Sequence, residues 1–169
     1  MKITGNRSIS SIIKIFLIIL FAICIATIIA VPIIVENQGT GNFKQMILNE
    51  TLGSTVVCIY LSAIPALVML YQFIKIFCSL EKGEVFSRTI ENRFFVTSIC
   101  SMIIGVVYGI NAIMMPRKIS QFENSAIITY IFFAIIVSMI FLILGIGLMV
   151  LKSIYRTAIE NKEENDLTI

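Results

Sequence analysis

The chain has 169 residues, of which 58% are hydrophobic and only 14% are charged, and its formal net charge is +3 at pH 7. Soluble domains carry about 25% charged residues, so this composition excludes an ordinary water-soluble protein and indicates a membrane protein. The sequence contains no His. Imidazole catalysis and the usual His-ligated zinc and haem sites are therefore excluded.

The four cysteines lie far apart and share no CxxC spacing: Cys24, Cys58, Cys78 and Cys100. Three of them fall within apolar runs, where a free Cys behaves as a small hydrophobic residue. We therefore predict no disulfide framework, no metal site and no cofactor.

Four uncharged segments each exceed the roughly 20 residues that a helix needs to cross the hydrocarbon core of a bilayer. They predict transmembrane helices at about residues 15–35, 51–74, 94–116 and 125–151. The predicted fold class is all-α: a polytopic membrane protein with four helices in an antiparallel bundle, forming one membrane domain over residues 1–169.

Lys and Arg are unevenly divided between the segments outside these helices. Ten lie in the N-terminal segment, the central loop and the C-terminal tail, whereas three lie in the other two loops. Because cytoplasmic loops are enriched in Lys and Arg, we predict that both termini and the central loop are cytoplasmic and that the protein is multi-pass in the cell membrane.

The central loop, residues 75–93, is predicted to be the tip of a cytoplasmic helical hairpin. Apolar residues keep helical spacing through Lys75 and as far as Leu80, so the second helix continues beyond the membrane surface. Gly83 is placed as the left-handed residue that ends this helix. Ser87 is placed to cap the next helix with its hydroxyl group.

The C-terminal tail, residues 152–169, contains two different parts. An apolar stripe continues at helical spacing past Lys152 to Ile159, which predicts that the fourth helix extends beyond the membrane. The remaining residues are acidic, and the chain then finishes in apolar Leu167 and Ile169.

Small and polar residues within the third helix are candidates for helix packing. Gly105 and Gly109 form a GxxxG pair, in which small residues allow two helix backbones to approach closely. The pair indicates either packing within the bundle, which we favour, or a homodimer face. Asn111 is placed either to bond across to Ser62 or Tyr60 on the second helix or, five residues before Pro116, to meet water at the membrane interface. Pro65 is expected to bend that helix.

The two cytoplasmic segments also support a family resemblance. Lys-Gly-Glu-Val-Phe-Ser occurs at residues 82–87, Glu-Asn follows at 91–92, and Glu-Asn-Asp-Leu-Thr-Ile ends the chain at 164–169. With Pro65 in the second helix, nearly the whole chain resembles the bacterial "domain of unknown function 2975" family of small four-helix membrane proteins. Three residues separate Ser87 from the Glu-Asn pair, where the family pattern has one.

The resemblance implies a four-helix protein of the bacterial cytoplasmic membrane that has no established activity and is often encoded beside a small helix-turn-helix regulator. The serines at membrane depth, Ser62, Ser98, Ser101 and Ser138, have no His, Lys or carboxylate within their own apolar segments, so we predict that the protein is not an enzyme.

We interpret the chain as a non-enzymatic accessory or signalling protein that presents its cytoplasmic hairpin tip (residues 82–92) and tail (residues 164–169) to a partner or to each other. The partners predicted are the lipid bilayer and a cytoplasmic protein, with a homo-oligomer as a further possibility and no direct contact with nucleic acid. The alternative function is a small transport or permease subunit, or an immunity protein against membrane-active peptides. The candidate partner contacts are Gly83, Phe86, Ser87, Asn92, Asn165, Asp166 and Leu167.

Overall fold

The computed structural model describes residues 4–37, 52–83, 87–114 and 124–167. They form four α-helices and, within these ranges, no strand. The helices are α1 (Thr4–Asn37), α2 (Leu52–Glu81), α3 (Arg88–Met114) and α4 (Asn124–Leu167). The predicted all-α class with four long helices is confirmed.

Each helix contains a segment that is long and apolar enough to cross a membrane. These segments are Ser10–Ile34, Val56–Glu81, Arg88–Met114 and Ile128–Asn165. The 44 residues of α4 extend about 66 Å at 1.5 Å per residue. This length is about twice the roughly 30 Å of a hydrocarbon core, so a large part of α4 must lie outside a bilayer that it crosses.

Consecutive helices pack side by side and run antiparallel. Between α1 and α2, Ser10 Oγ donates to the Phe77 carbonyl at 3.4 Å, and the Tyr60 hydroxyl donates to the Ile28 carbonyl at 3.2 Å. Positions early in α1 therefore meet positions late in α2. We call the end at which α2 stops and α3 starts the hairpin end.

The interface between α3 and α4 is held by two reciprocal hydrogen bonds. Ser101 Oγ of α3 donates to the Phe141 carbonyl of α4, and Ser138 Oγ of α4 donates to the Gly105 carbonyl of α3, both at 2.7 Å. Ser101 is completely buried. Small side chains that bond to the opposite backbone allow two apolar helices to approach closely in lipid.

The GxxxG glycines of α3 lie in this same interface. A Cβ atom added to Gly105 would lie 2.8 Å from Leu142 Cγ, and one added to Gly109 would lie 3.1 Å from Ser138 Oγ. Both contacts are with α4 of the same chain. Packing inside the fold therefore occupies the face that a homodimer would otherwise use.

The predicted partner of Asn111 was wrong. Asn111 Nδ2 donates to the Tyr130 hydroxyl of α4 at 2.6 Å, not to Ser62 or Tyr60 of α2. The reason is that Asn111 lies on the face of α3 that packs against α4. Ser62 instead donates to the Ile59 carbonyl of its own helix at 2.9 Å.

Two prolines lie inside helices. Pro65 is inside α2, which is helical on both sides of it, and Pro32 is inside α1. Because proline has no backbone N–H, each removes the usual donor to the carbonyl four residues earlier, which is Leu61 for Pro65 and Ile28 for Pro32. The bend that we expect at Pro65 stays a prediction.

Candidate interaction site at the hairpin end

The α2–α3 turn follows the geometry predicted from its Gly and Ser. Gly83 has a φ of 83°, in the left-handed region, and its amide donates to the Leu80 carbonyl at 3.1 Å. Ser87 accepts from the Ile90 amide with its carbonyl at 3.0 Å and with its hydroxyl oxygen at 3.4 Å. Ser87 therefore caps α3, which starts at Arg88.

An ion pair joins the start of α3 to the end of α4. Arg88 Nη2 lies 2.9 Å from Glu163 Oε2 and 3.3 Å from Glu163 Oε1. The two side chains are 70% and 54% exposed, so water and salt weaken their attraction. The pair contributes little to stability, and it links the start of α3 to the α4 extension, by which we mean the part of α4 after Lys152.

Below this ion pair the two helices form a polar recess of about 340 Å³. A second ion pair borders it, because Arg156 Nε lies 2.9 Å from Glu160 Oε1 one helical turn away on α4. We define the hairpin-end site as the six residues of the recess together with Glu163. The six are Arg88, Glu91, Asn92, Arg156, Ile159 and Glu160.

An apolar cluster supports the site from the side of the apolar spans. Ile90 is completely buried, and the Phe94 and Tyr155 rings lie 5.1 Å apart with an interplanar angle of 57°. Tilted aromatic pairs at this separation are favourable. The cluster contains Ile76, Ile90, Phe94 and Leu148, with Phe73, Leu80 and Tyr155 packed around it.

The family model described as "Protein of unknown function (DUF2975)" matches residues 44–169. The chain belongs to this family. The match includes α2, α3 and α4, and hence every residue of the hairpin-end site. Residues 1–43, which contain α1, lie outside it, so the match is shorter than the nearly complete resemblance expected from the motifs. Neither the curated proteins nor the solved structures yield a match.

The three residues between Ser87 and Glu91 have a structural role in the hairpin-end site of this DUF2975 chain. Arg88, Thr89 and Ile90 separate Ser87 from Glu91, and they form the first turn of α3 rather than a loop. Arg88 supplies the ion pair to α4, and Ile90 enters the apolar cluster. These residues therefore join the hairpin to α4.

The predicted partner contacts are only partly brought together. Asn92 lines the recess and is exposed, and Ser87 and Gly83 form the turn beside it. Asn165 is exposed near the end of α4. Asp166 and Leu167 belong to α4, but their side chains lie outside the described part of the structure, as does Phe86.

Sequence reasoning missed the residues of α4 that complete the site. Arg156 and Glu160 are spaced i,i+4, which is the ion-pair spacing of a helix surface, so their pairing could have been predicted. Their position opposite Arg88 and Glu91 depends on the register of α4 against α3. No charge pattern in either helix reveals that register.

A further ion pair fastens α1 at the hairpin end. Lys14 Nζ pairs with Glu81 Oε2 at the end of α2, and both side chains are 24% exposed. Glu81 Oε1 is buried and has no hydrogen-bond partner among the described residues. Within the same residues, no group of three His, Cys, Asp or Glu side chains could hold a metal ion.

Proposed function

We propose that the protein is a non-enzymatic accessory or signalling component of the bacterial cytoplasmic membrane, and that a cytoplasmic protein docks on its hairpin-end site. The observation that supports this proposal most is the Arg88–Glu163 ion pair. It unites the two segments that stand out from the apolar spans, the hairpin and the α4 extension, in one polar surface.

The charges of the site favour a protein partner with charges of both signs. Arg88 and Arg156 are each paired with a carboxylate, and Glu91 and Asn92 lie beside them. A mixed surface of this kind selects a partner by matching charges rather than by attracting one sign strongly. It favours a folded protein over a polyanion such as nucleic acid.

The orientation of the protein follows from the proposal and is tested first. Both termini and the hairpin end are proposed to face the cytoplasm, as the uneven distribution of Lys and Arg predicts. Labelling a single Cys introduced at Lys82, in a chain whose four native Cys are replaced, should require permeable membranes. Labelling by an impermeant thiol reagent in intact cells would contradict the proposed site.

Docking is tested by a photo-crosslinking amino acid introduced at Asn92 in native membranes. The matched control is the same substitution at Asn161, which is also an exposed Asn but lines a different crevice of α4 with Ser153 and Thr157. We expect a discrete protein adduct from position 92 that is absent from position 161 and is lost when Arg88→Glu is added.

The proposal fails if positions 92 and 161 yield the same adducts, or if position 92 yields only lipid adducts. The alternative function, as a permease subunit or an immunity protein against membrane-active peptides, stays a prediction. It requires that loss of the protein alters sensitivity to such peptides or the accumulation of a solute.

A further inference from the structure

A cavity of about 290 Å³ lies among the helices, at the depth of their apolar spans and away from the hairpin end. Residues of all four helices line it. They include Ile23 and Ile28 of α1, Ile59 and Ala63 of α2, Ile104 of α3 and Phe141 of α4. It is partly open to the outside of the helix group, where a bilayer would present lipid chains.

The two hydroxyl groups of α1 and α2 that border the cavity are satisfied by their own helices. Thr27 Oγ1 donates to the Ile23 carbonyl at 2.8 Å, and Ser62 Oγ donates to the Ile59 carbonyl at 2.9 Å. A buried water needs two to four polar partners. Apart from these two residues and from Cys24 and Tyr108, the lining is entirely hydrocarbon side chains, so the cavity favours hydrocarbon over water or a hydrated solute.

Polar contacts hold α1 against α2 at two levels. Toward the hairpin end they are the Lys14–Glu81 ion pair and the bond from Ser10 to Phe77. Beside the cavity, the Tyr60 hydroxyl donates to the Ile28 carbonyl. These contacts hold α1 beside α2 at both ends of the stretch that contributes Ile23 and Cys24 to the cavity lining.

The dimensions of the cavity limit its ligand to a narrow molecule. An engineered apolar cavity of about 150 Å³ is enough to bind benzene, and this cavity is larger. It extends along α2 from Ile59 to Ala66, about 10 Å at 1.5 Å per residue. A helix with its side chains is about 10–12 Å wide, which is too wide for this volume.

We propose that this cavity binds one acyl chain of a membrane lipid, held between α1 and the α2–α3 pair. The source of binding is contact between the methylene groups and a lining of aliphatic side chains together with the Tyr108 and Phe141 rings. The inference does not depend on a docking partner at the hairpin end, because the cavity lies in another part of the protein.

The test uses the full-length chain in phosphatidylcholine vesicles that contain a trace of phosphatidylcholine with a photoactivatable group in its acyl chain. After illumination, adducts are mapped by mass spectrometry of peptides. We expect labelling of residues 23–28 and 59–66 that falls by about tenfold, or 1.4 kcal/mol in binding, in Ala63→Phe. Labelling at lipid-facing Phe132, which is 66% exposed, should be unchanged.

The matched control is Ile64→Phe, which adds bulk at a neighbouring position that is 66% exposed and should leave the cavity adducts intact. If Ala63→Phe does not fold, Ala66→Leu provides the same comparison with a smaller added volume. The proposal is overturned if filling the cavity leaves its adducts unchanged, or if the adducts at Phe132 fall in parallel.

Discussion

The Tyr60 hydroxyl of α2 donates to the one carbonyl of α1, that of Ile28, whose usual intrahelical donor is removed by Pro32. An unpaired carbonyl in an apolar environment is costly. A side chain of the neighbouring helix thus satisfies a group that the proline leaves unpaired. The bond joins α1, which lies outside the family match, to α2, which lies within it.

We expect Tyr60→Phe to weaken the attachment of α1 to α2 by about 0.6 kcal/mol, a typical value for a hydrogen bond between membrane helices. In a Pro32→Ala background the loss should be smaller, because the amide at position 32 can then donate to Ile28. Protease accessibility of α1 in mild detergent measures the effect.

A double-mutant cycle is needed here because Tyr60 has a further interaction besides this bond. That second interaction is present in both backgrounds, so it cancels in the coupling energy. Equal losses for Tyr60→Phe with and without Pro32→Ala would show that the Ile28 carbonyl does not need Tyr60.

The α3–α4 interface predicts opposite results for two glycines. In Gly105→Ala the new methyl group would meet Leu142 and the Ser138 backbone, at 2.8 and 3.1 Å, so we expect a loss of about 1–3 kcal/mol in stability. Gly147→Ala is the matched control, because nothing in the described part of the chain lies within 4 Å of its added Cβ. It should be neutral or stabilising by up to about 1 kcal/mol.

Unfolding by SDS, followed by circular dichroism, measures both glycine variants. Because both substitutions replace Gly by Ala inside a helix, the difference between them isolates the packing of α3 against α4. Equal stability of the two variants would be incompatible with this close approach.

The number of helices and the hairpin turn could be predicted from the sequence. Which helix packs against each face of another helix could not. Lengths of uncharged sequence determine spans, and Gly83 and Ser87 mark a turn by backbone chemistry alone. Inside the spans, however, the lipid-facing and packed faces are both apolar, so hydrophobic periodicity does not distinguish them. The partner of Asn111 was therefore assigned to the wrong helix.

One signal of the α3 packing face was nevertheless present. Ser98, Ser101 and Gly105 recur at helical spacing, and all three are buried. Small residues are enriched where membrane helices touch. Which helix packs against this face of α3 is decided by how the helices fit together in three dimensions, and the sequence of α3 alone does not show it.

Because Asn111 is buried, we expect that removing the Tyr130 hydroxyl, which is its partner, destabilises the protein more than replacing Asn111 itself by an apolar residue. Asn111 is 2% exposed, its Oδ1 already has no partner among the described residues, and Nδ2 depends on Tyr130. Tyr130→Phe leaves the amide without a bond, which should cost about 1–3 kcal/mol. Asn111→Leu removes the buried polar atoms and should cost less. The reverse order in SDS unfolding would contradict this interpretation.

The turn between α2 and α3 predicts that substitutions of Gly83 destabilise the hairpin to different extents. Its φ of 83° suits Gly, and among the described residues no atom lies within 4 Å of an added Cβ, so backbone strain is what we expect to oppose substitution. Gly83→Ala should destabilise the hairpin by about 1 kcal/mol, and Gly83→Asn by less, because Asn tolerates the left-handed region. Thermal melting in detergent that ranks Asn below Ala would argue against this explanation.

The Arg88–Glu163 ion pair predicts that the attraction between opposite charges holds the α4 extension close to the hairpin. Arg88→Glu should move residues 156–163 away from the hairpin, because Glu163 would then face a second carboxylate. Combining it with Glu163→Arg should restore the pairing. Spin labels at positions 92 and 162, in a chain whose four native Cys are replaced, report the distance between the two segments.

We expect a narrow distance distribution in the native pairing and in the double exchange, and a longer, broader one in Arg88→Glu. Salt provides an independent control, since about 1 M reduces the screening length to about 3 Å. It should broaden the native distribution while leaving the Phe94–Tyr155 packing intact. If Arg88→Glu leaves the distance unchanged, apolar packing alone fixes the extension, and the ion pair has no part in forming the site.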